Sequence, residues 1–544
     1  MAVSTGKRAG SAAAGVAESA FAPLRHLAFA VLWTATVVSN IGTWMHEVAA
    51  GWLMTSLSPS PMLVALVQTA TTLPVFLFAL PAGALADIVD RRRLLIIVQT
   101  GLALTAALLG TLVLAGAMTP MLLLALTFVM GMGAALLAPA WQAIVPRLVP
   151  REDLQSAVAL NSVGINVSRA VGPAIAGVLI AAVGLWAPFF LNALSFLCVI
   201  AALVWWRPAP APPRWLPPEH LIGALRTGLR YARASVPLRA TLARALAFFV
   251  FASAYWALLP LIARQLLGGG PTLYGGLLGA VGAGAVGGAL LLPRLRARLG
   301  ADRVVALGTL GTATTLLGFA LLREPSVAVV MSLIAGTSWI AVLSSLNVSA
   351  QTALPDWVRA RGLALFVTVF FGAMSLGSLV WGQLASVAGV PAALLAAAAG
   401  AVLAVPVSLR WRLGQGESMD LTPSLHWPAP PAAEAVDEGH GPVLVTVEYD
   451  IEPVRTTEFL AALEGLASER RRDGAYAWGI FEDVAVPGRF VESFLVASWL
   501  EHLRQHERVT RADAELQARV RAFHRGPDGP VVRHHLARSP GERP

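Results

Sequence analysis

The sequence predicts an all-α membrane protein: twelve transmembrane helices in two pseudo-symmetric six-helix bundles, with a smaller α+β domain behind them. Three observations carry this. Runs of about 20 apolar residues, the length that spans a ~30 Å hydrocarbon core, recur up to Arg412 and then stop. The bases fall almost wholly on alternate connections between those runs. Polar and glycine positions of the first half return in the second at a near-constant offset.

Composition agrees. The chain is 56% hydrophobic and 13% charged, which excludes an ordinary soluble globule. Its net charge of +9 is unevenly spread: residues 1–412 hold 26 bases against 10 acids, residues 413–544 hold 14 against 21. The basic excess therefore reports topology, and no nucleic-acid partner is expected; the partners expected are a bilayer and a small molecule. The single cysteine, Cys198, rules out an intrachain disulfide and a thiolate metal cluster, and is expected to be a small buried hydrophobe. Residues 1–23, rich in Ala, Gly and Ser, lack the apolar core of a secretory signal and read as a disordered lead-in.

Spans are expected near 26–55, 61–87, 94–116, 119–146, 154–183, 187–206, 240–265, 272–298, 303–322, 325–353, 359–388 and 390–411. One set of connections then carries 23 bases and the other only Arg264 and Arg323, so the positive-inside rule puts both termini in the cytoplasm of an inner or plasma membrane protein. Gln142 and Pro146 recur as Gln351 and Pro355; Gly172, Gly177 and Gly184 recur as Gly377, Gly382 and Gly389. One four-residue gap aligns all five pairs and defines two bundles, 24–206 and 240–412. No ATP-binding loop is present, which excludes a self-contained ATP-driven pump.

Between the bundles, 207–239 is a cytoplasmic linker. It is Pro-rich to Pro218, and then amphipathic, with Arg226, Arg230 and Arg233 opposite Leu221, Leu225 and Leu229. A second Pro-rich linker, 413–442, leads to a domain at 443–544. Its order is strand (443–451), helix (456–472), two strands (475–484, 490–498), a helical stretch (499–523) and a last strand (531–536). That βαββαβ order is ferredoxin-like. The strand Phe490–Ser498 running into Trp499-x-x-His502-x-x-x-His506 resembles antibiotic-biosynthesis monooxygenases, which implies dimerisation through this domain. His502 and His506 stand at metal-ligand spacing but lack a third ligand, so no metal is expected. A docking or regulatory role is expected for the domain before oxygenase chemistry, because fold does not carry activity.

Where the second span gives way to the third, Gly83-x-x-x-Asp87 is followed by Arg91, Arg92 and Arg93. This resembles the loop after the second helix of major facilitator superfamily transporters, with Ile88 and Asp90 where that pattern prefers a base and a glycine. The resemblance implies a gating role for Gly83, Asp87, Arg91 and Arg92. Arg169-Ala-Val-Gly172-Pro173-Ala-Ile-Ala-Gly177 resembles in part the Gly-Pro motif of the antiporters among them. Gly172, Gly177, Gly377 and Gly382 would let helices approach closely, and Pro173 would bend its helix. The string Asn40-Ile-Gly42-Thr-Trp44-Met-x-x-Val-Ala-Ala-Gly51-Trp52 is similar to the enterobactin-exporter-like, transmembrane secretion effector branch of the superfamily.

Embedded charge is costly, so Glu47 and Arg169, the acid and base inside the first bundle, are candidates for proton coupling; a structural ion pair is the competing reading. Asn40, Trp44, Gln142, Asn166, Tyr255, Trp256, Asn347 and Gln351 are candidates for a substrate cavity, against ordinary interhelical bonding and interfacial aromatics. The resemblance implies proton-coupled efflux of a small amphipathic molecule, a siderophore or a drug, by alternating access. It implies no cofactor beyond a proton gradient and no catalytic residue. Nutrient uptake, and an exporter whose tail oxidises the cargo, stay open.

Overall fold

A computed structural model of the chain describes residues 21–207 and 221–538, apart from 415, 417, 418, 425, 428–436 and 438, and without the side chains of 84, 86–88, 143, 151 and 221–227. Nearly all of the expected lead-in, the Pro-rich stretch after residue 207 and part of the second linker lie outside it. The described residues form two compact units, one from 21–207, 243–347 and 366–410, the other from 221–242, 348–365 and those described between 411 and 538.

The helices run α1 (Leu27–Leu57), α2 (Pro61–Ile88), α3 (Arg91–Leu114), α4 (Pro120–Ile144), α5 (Leu154–Ala182), α6 (Ala187–Trp205), α7 (Leu221–Ala234), α8 (Val236–Leu261), α9 (Pro271–Leu321), α10 (Pro325–Thr352), α11 (Asp356–Ala388) and α12 (Val390–Ser408). Local chemistry sets their starts. Proline opens α2, α4 and α9, where its missing N–H costs nothing. Asp90 caps α3 by accepting from the Arg93 N–H at 2.8 Å, which accounts for an acid where the loop pattern prefers glycine.

Among the described residues, eleven helices are long and apolar enough to cross a membrane. One of them, α9, has 51 residues. At 1.5 Å per residue it would be roughly 77 Å long, more than twice a ~30 Å core. It is broken at Gly300, whose φ of +78° only a residue without Cβ adopts freely. The spans expected at 272–298 and 303–322 are thus two arms joined at one residue, not helices parted by a loop.

The first unit is apolar on both sides. Phe29, Leu94, Leu102, Ile144, Phe196 and Leu203 form a shared core of α1, α3, α4 and α6. Meanwhile Ile97, Leu104, Leu290 and Val387 are 67–77% exposed, a surface that suits lipid rather than water. Cys198 corrects an expectation: it is exposed, in a shallow groove with Thr34, Val38 and Trp205, because apolar residues on a lipid-facing helix need no burial.

In the second unit, β1 (Val443–Asp450), α13 (Thr456–Asp473), β2 (Tyr476–Glu482), β3 (Arg489–Val496), α14 (Trp499–Arg508), α15 (Arg511–Arg521) and β4 (Val531–Leu536) build a four-stranded antiparallel sheet in the order β2-β3-β1-β4. Alternate residues of β1 (Val443, Val445, Val447, Tyr449) are buried beneath the helices, with Phe459, Leu463, Leu466 and Phe494. The helical stretch expected at 499–523, in one piece or two, forms two helices. Thr510 interrupts it and caps α15, exchanging bonds with Asp513.

Candidate functional site

The first unit holds the candidate site. On α1, Asn40, Trp44, Glu47 and Gly51 follow helical spacing along one stripe. Gly172 on α5 faces that stripe: a Cβ there would lie 2.7 Å from the Trp44 Cβ. The same helix face brings Arg169, one turn earlier, over Trp44, with its guanidinium carbon 5.4 Å from the indole centroid. Among the described residues no ion pair joins Arg169 to Glu47, although each lies within range of the other's charge. His46 points away from both and packs edge-on against Phe189, with 4.7 Å between centroids.

From Trp44 an aromatic wall continues across the second half. Trp256 on α8 is 6.4 Å from Trp44 and 5.6 Å from Tyr255, Trp339 on α10 is 5.2 Å from Trp256, and Phe370 on α11 is 6.0 Å from Trp339. Among the described residues, Arg169 Nε, the Tyr255 hydroxyl and the Trp339 indole N–H find no acceptor along this wall, and the Trp256 indole N–H has none beyond its neighbour Tyr255. Each is costly unless an acceptor arrives. A planar ligand bearing oxygen acceptors meets both requirements.

At one end of the unit, contacts cross between helices of the two halves. A short π-turn after Pro260 carries Arg264, which donates to the hydroxyls of Thr55 and Ser56, both at 2.9 Å, and stands over Trp52. Trp52 stacks on Tyr274 at 5.9 Å. Gly177 lies against α9, where a Cβ would come within 2.7 Å of the Pro271 carbonyl oxygen. The N–H of Met62 donates to Ser386 at 3.0 Å, and Gly382 packs on Ala65. Contacts toward the other end join helices of the same half. Arg92 donates to the Leu203 and Val204 carbonyls at the end of α6 (2.6 and 2.9 Å), His26 donates to Asp153 at 2.8 Å, and Arg244 bonds Asp302 and Ser408.

The structure thus gathers Trp44, Glu47, Arg169, Tyr255 and Trp256, with Asn40 half-buried one turn before Trp44. It does not gather every residue proposed for the cavity. Gln142, Asn347 and Gln351 are exposed near helix ends, and Asn166 donates to its own helix at Ser162, 2.8 Å away. A Cβ on Gly83 would meet nothing within 4 Å, and the Asp87 side chain lies outside the description; Gly377 packs on Ser253 of α8. Sequence reasoning used Arg264 only for topology, although its rarity on that side was a usable signal.

In the second unit, His502 and His506 face each other, Nε2 to Nε2, at 3.4 Å, and burial holds His502 down at about 3. A different trio, Glu469, Asp473 and Asp513, converges closely enough for a metal ion. Arg472 already bonds both aspartates, at 2.6–3.1 Å, and supplies the cation there.

Comparisons with known proteins agree with this architecture. The chain is 24% identical over 356 residues to the staphyloferrin A transporter of Staphylococcus aureus, covering 64% of this chain and 87% of that protein. It is 28% identical to the multidrug efflux pump Tap of Mycolicibacterium fortuitum (66% and 90%) and 27% identical to the enterobactin exporter EntS of Shigella boydii (62% and 80%). In fold it is similar to a bacterial homolog of the human lysosomal transporter Spinster, with a TM-score of 0.56 at 15% identity over 72% of this chain and 99% of the other. A POT family transporter gives 0.59 at 12% over 70% and 95%. The transmembrane secretion effector family matches residues 18–541, and the chain belongs to that family of major facilitator transporters.

Proposed function

We propose that this chain is a proton-coupled exporter of a small amphipathic molecule bearing oxygen acceptors, a siderophore or an acceptor-rich drug, working by alternating access. The observation that carries this reading is the wall from Trp44 to Trp339, along which Arg169, Tyr255 and Trp339 keep buried donors without an acceptor among the described residues. Relatives named for multidrug efflux and enterobactin export favour export over uptake. Counting the arms of α9 on either side of Gly300 separately gives twelve crossings in two bundles, with both termini in the cytoplasm. In that orientation Arg264 ties α1 to the end of α8 at the outer side.

Glu47 takes the proton. It is half-buried on the same stripe of α1 as Trp44 and has no direct basic partner among the described residues, so protonation and cargo binding can exchange there without first breaking an ion pair. The tail is a ferredoxin-like domain whose open sheet face, with Tyr476 and Phe481 exposed, suits a second copy. Its helix-covered side is filled by Glu492, which accepts from Trp478, Tyr449 and Arg470, and this supports a docking or regulatory domain over an oxygenase.

Vesicles of known orientation, loaded with candidate siderophores and drugs, test the function. Cargo should leave the cytoplasmic side only with a proton gradient, and Glu47→Gln should abolish the dependence. Accumulation instead of extrusion, or proton-driven transport that survives Glu47→Gln, would reject the reading.

A further inference from the structure

The second unit contains more than the tail. It also takes in α7, the first turns of α8, the end of α10 and the start of α11. The joint is made of charge and aromatic faces. Glu501 on α14 accepts from Arg230 of α7 at 3.2 Å and from both terminal nitrogens of Arg508, at 2.6 and 3.2 Å. Arg508 also donates to the Asp473 carbonyl at 3.1 Å, and its guanidinium carbon lies 4.7 Å from the centroid of Trp357, in the first turn of α11. Tyr231, beside Arg230, donates to the Ala353 carbonyl at 3.0 Å, meets Trp357 edge-on and lies under Arg472 of α13. Burial opposes charge on Glu501, yet Arg508 and Arg230 hold its carboxyl below the usual range.

Three separate chain segments therefore converge on one carboxylate and one indole. Arg230 sits on α7, between the two halves, and Trp357 in the first turn of α11, whereas Glu501 and Arg508 belong to a domain with its own core. We propose that the tail is a clamp on α7 and the start of α11: Glu501 and Arg508 grip α7 through Arg230 and α11 through Trp357, and this grip slows the change of tilt that transport requires. The last clause rests on the transport reading; the clamp itself does not.

The test uses the full chain in detergent and in vesicles. Hydrogen exchange of residues 228–242 and 353–361 is compared between the wild type and Arg230→Glu, with Arg230→Gln as a milder second variant. Arg533→Ala, which removes an exposed pair with Glu448 inside the tail, serves as the control. Loss of a partly exposed ion pair should speed exchange in both segments about three- to fivefold, leave α1–α6 unchanged, and raise the initial transport rate by a similar factor. Unchanged exchange in both variants would overturn the clamp. Faster exchange with unchanged or slower transport would overturn the restraint. A wild-type chain that moved no tested compound would count against the transport reading, and exchange would still decide the clamp.

Discussion

Arg169 lies over the face of Trp44, 5.4 Å from its centroid, and forms no ion pair with Glu47, the acid nearest to it in the sequence-based reading. The embedded base is thus held by an aromatic face, and the acid is left to other work. A stacked guanidinium needs its planar shape as well as its charge. Arg169→Lys should therefore weaken cargo affinity about three- to tenfold while leaving the proton dependence intact, the loss expected of a cation–π contact of about 0.5–1.5 kcal/mol. Concentration-dependent efflux rates check this; an unchanged half-saturation point would show that stacking is irrelevant to cargo.

Arg264 pins α8 to α1 through Thr55 and Ser56. In Arg264→Ala that end of the unit should open more often. With Cys198→Ser as background and Asn40→Cys as reporter, maleimide added at that end should react several-fold faster in Arg264→Ala than with Arg264 intact. Equal labelling rates would mean that access there does not depend on this side chain.

Two glycines of the sequence motifs should behave oppositely. A Cβ at Gly177 meets backbone of α9, and a Cβ at Gly83 meets nothing. Gly177→Val should cost at least about 1–3 kcal/mol of stability through overpacking, whereas Gly83→Ala should change thermal unfolding little. The melting temperature of each purified variant is the measurement.

Glu469 predicts a pH effect in the tail. Burial raises its carboxyl to about 8 from an ordinary 4.5; Asp513 adds to the rise and Arg470 opposes it. The folded tail thus keeps a proton that the unfolded chain releases, so stability is full at acid pH and falls as pH climbs from about 4.5 to about 8. Glu469→Gln keeps an acceptor for Gln517 and should remove that fall. Hydrogen exchange of β1 in the full chain should accelerate from pH 5 to 8 (after correction for intrinsic exchange) more in the wild type than in the variant, in roughly the range the shift implies. Parallel profiles would show Glu469 charged when folded.

How far the sequence could be read depends on the range of the interaction. The starts expected at 61, 119 and 272 fall at Pro61, Pro120 and Pro271, because a proline sets the local backbone. The Asp90 cap, by contrast, carries the start expected at 94 back to Arg91. The glycines of the Gly172–Gly177 string announced close packing, but not that one faces Trp44 and the other Pro271. The polar set split: Trp44, Tyr255 and Trp256 converge, while Gln142 and Gln351 end up exposed despite matching places in the repeat. Matching depth does not fix which way a side chain turns. Cys198 misled for a related reason, since in lipid an apolar residue gains little by turning inward.

Hydrophobic run length, the sidedness of arginines and the doubled spacing of Gln, Pro and Gly determined a multi-span helical carrier with an α+β tail, since these follow from the cost of placing polar groups in hydrocarbon. Only the tertiary structure decided that Arg169 chooses Trp44, that Arg264 reaches Thr55 209 residues earlier, and that Arg230 meets Glu501 271 residues later. Such partners are selected by how packed helices bring distant surfaces together, and no local pattern in the chain encodes that geometry.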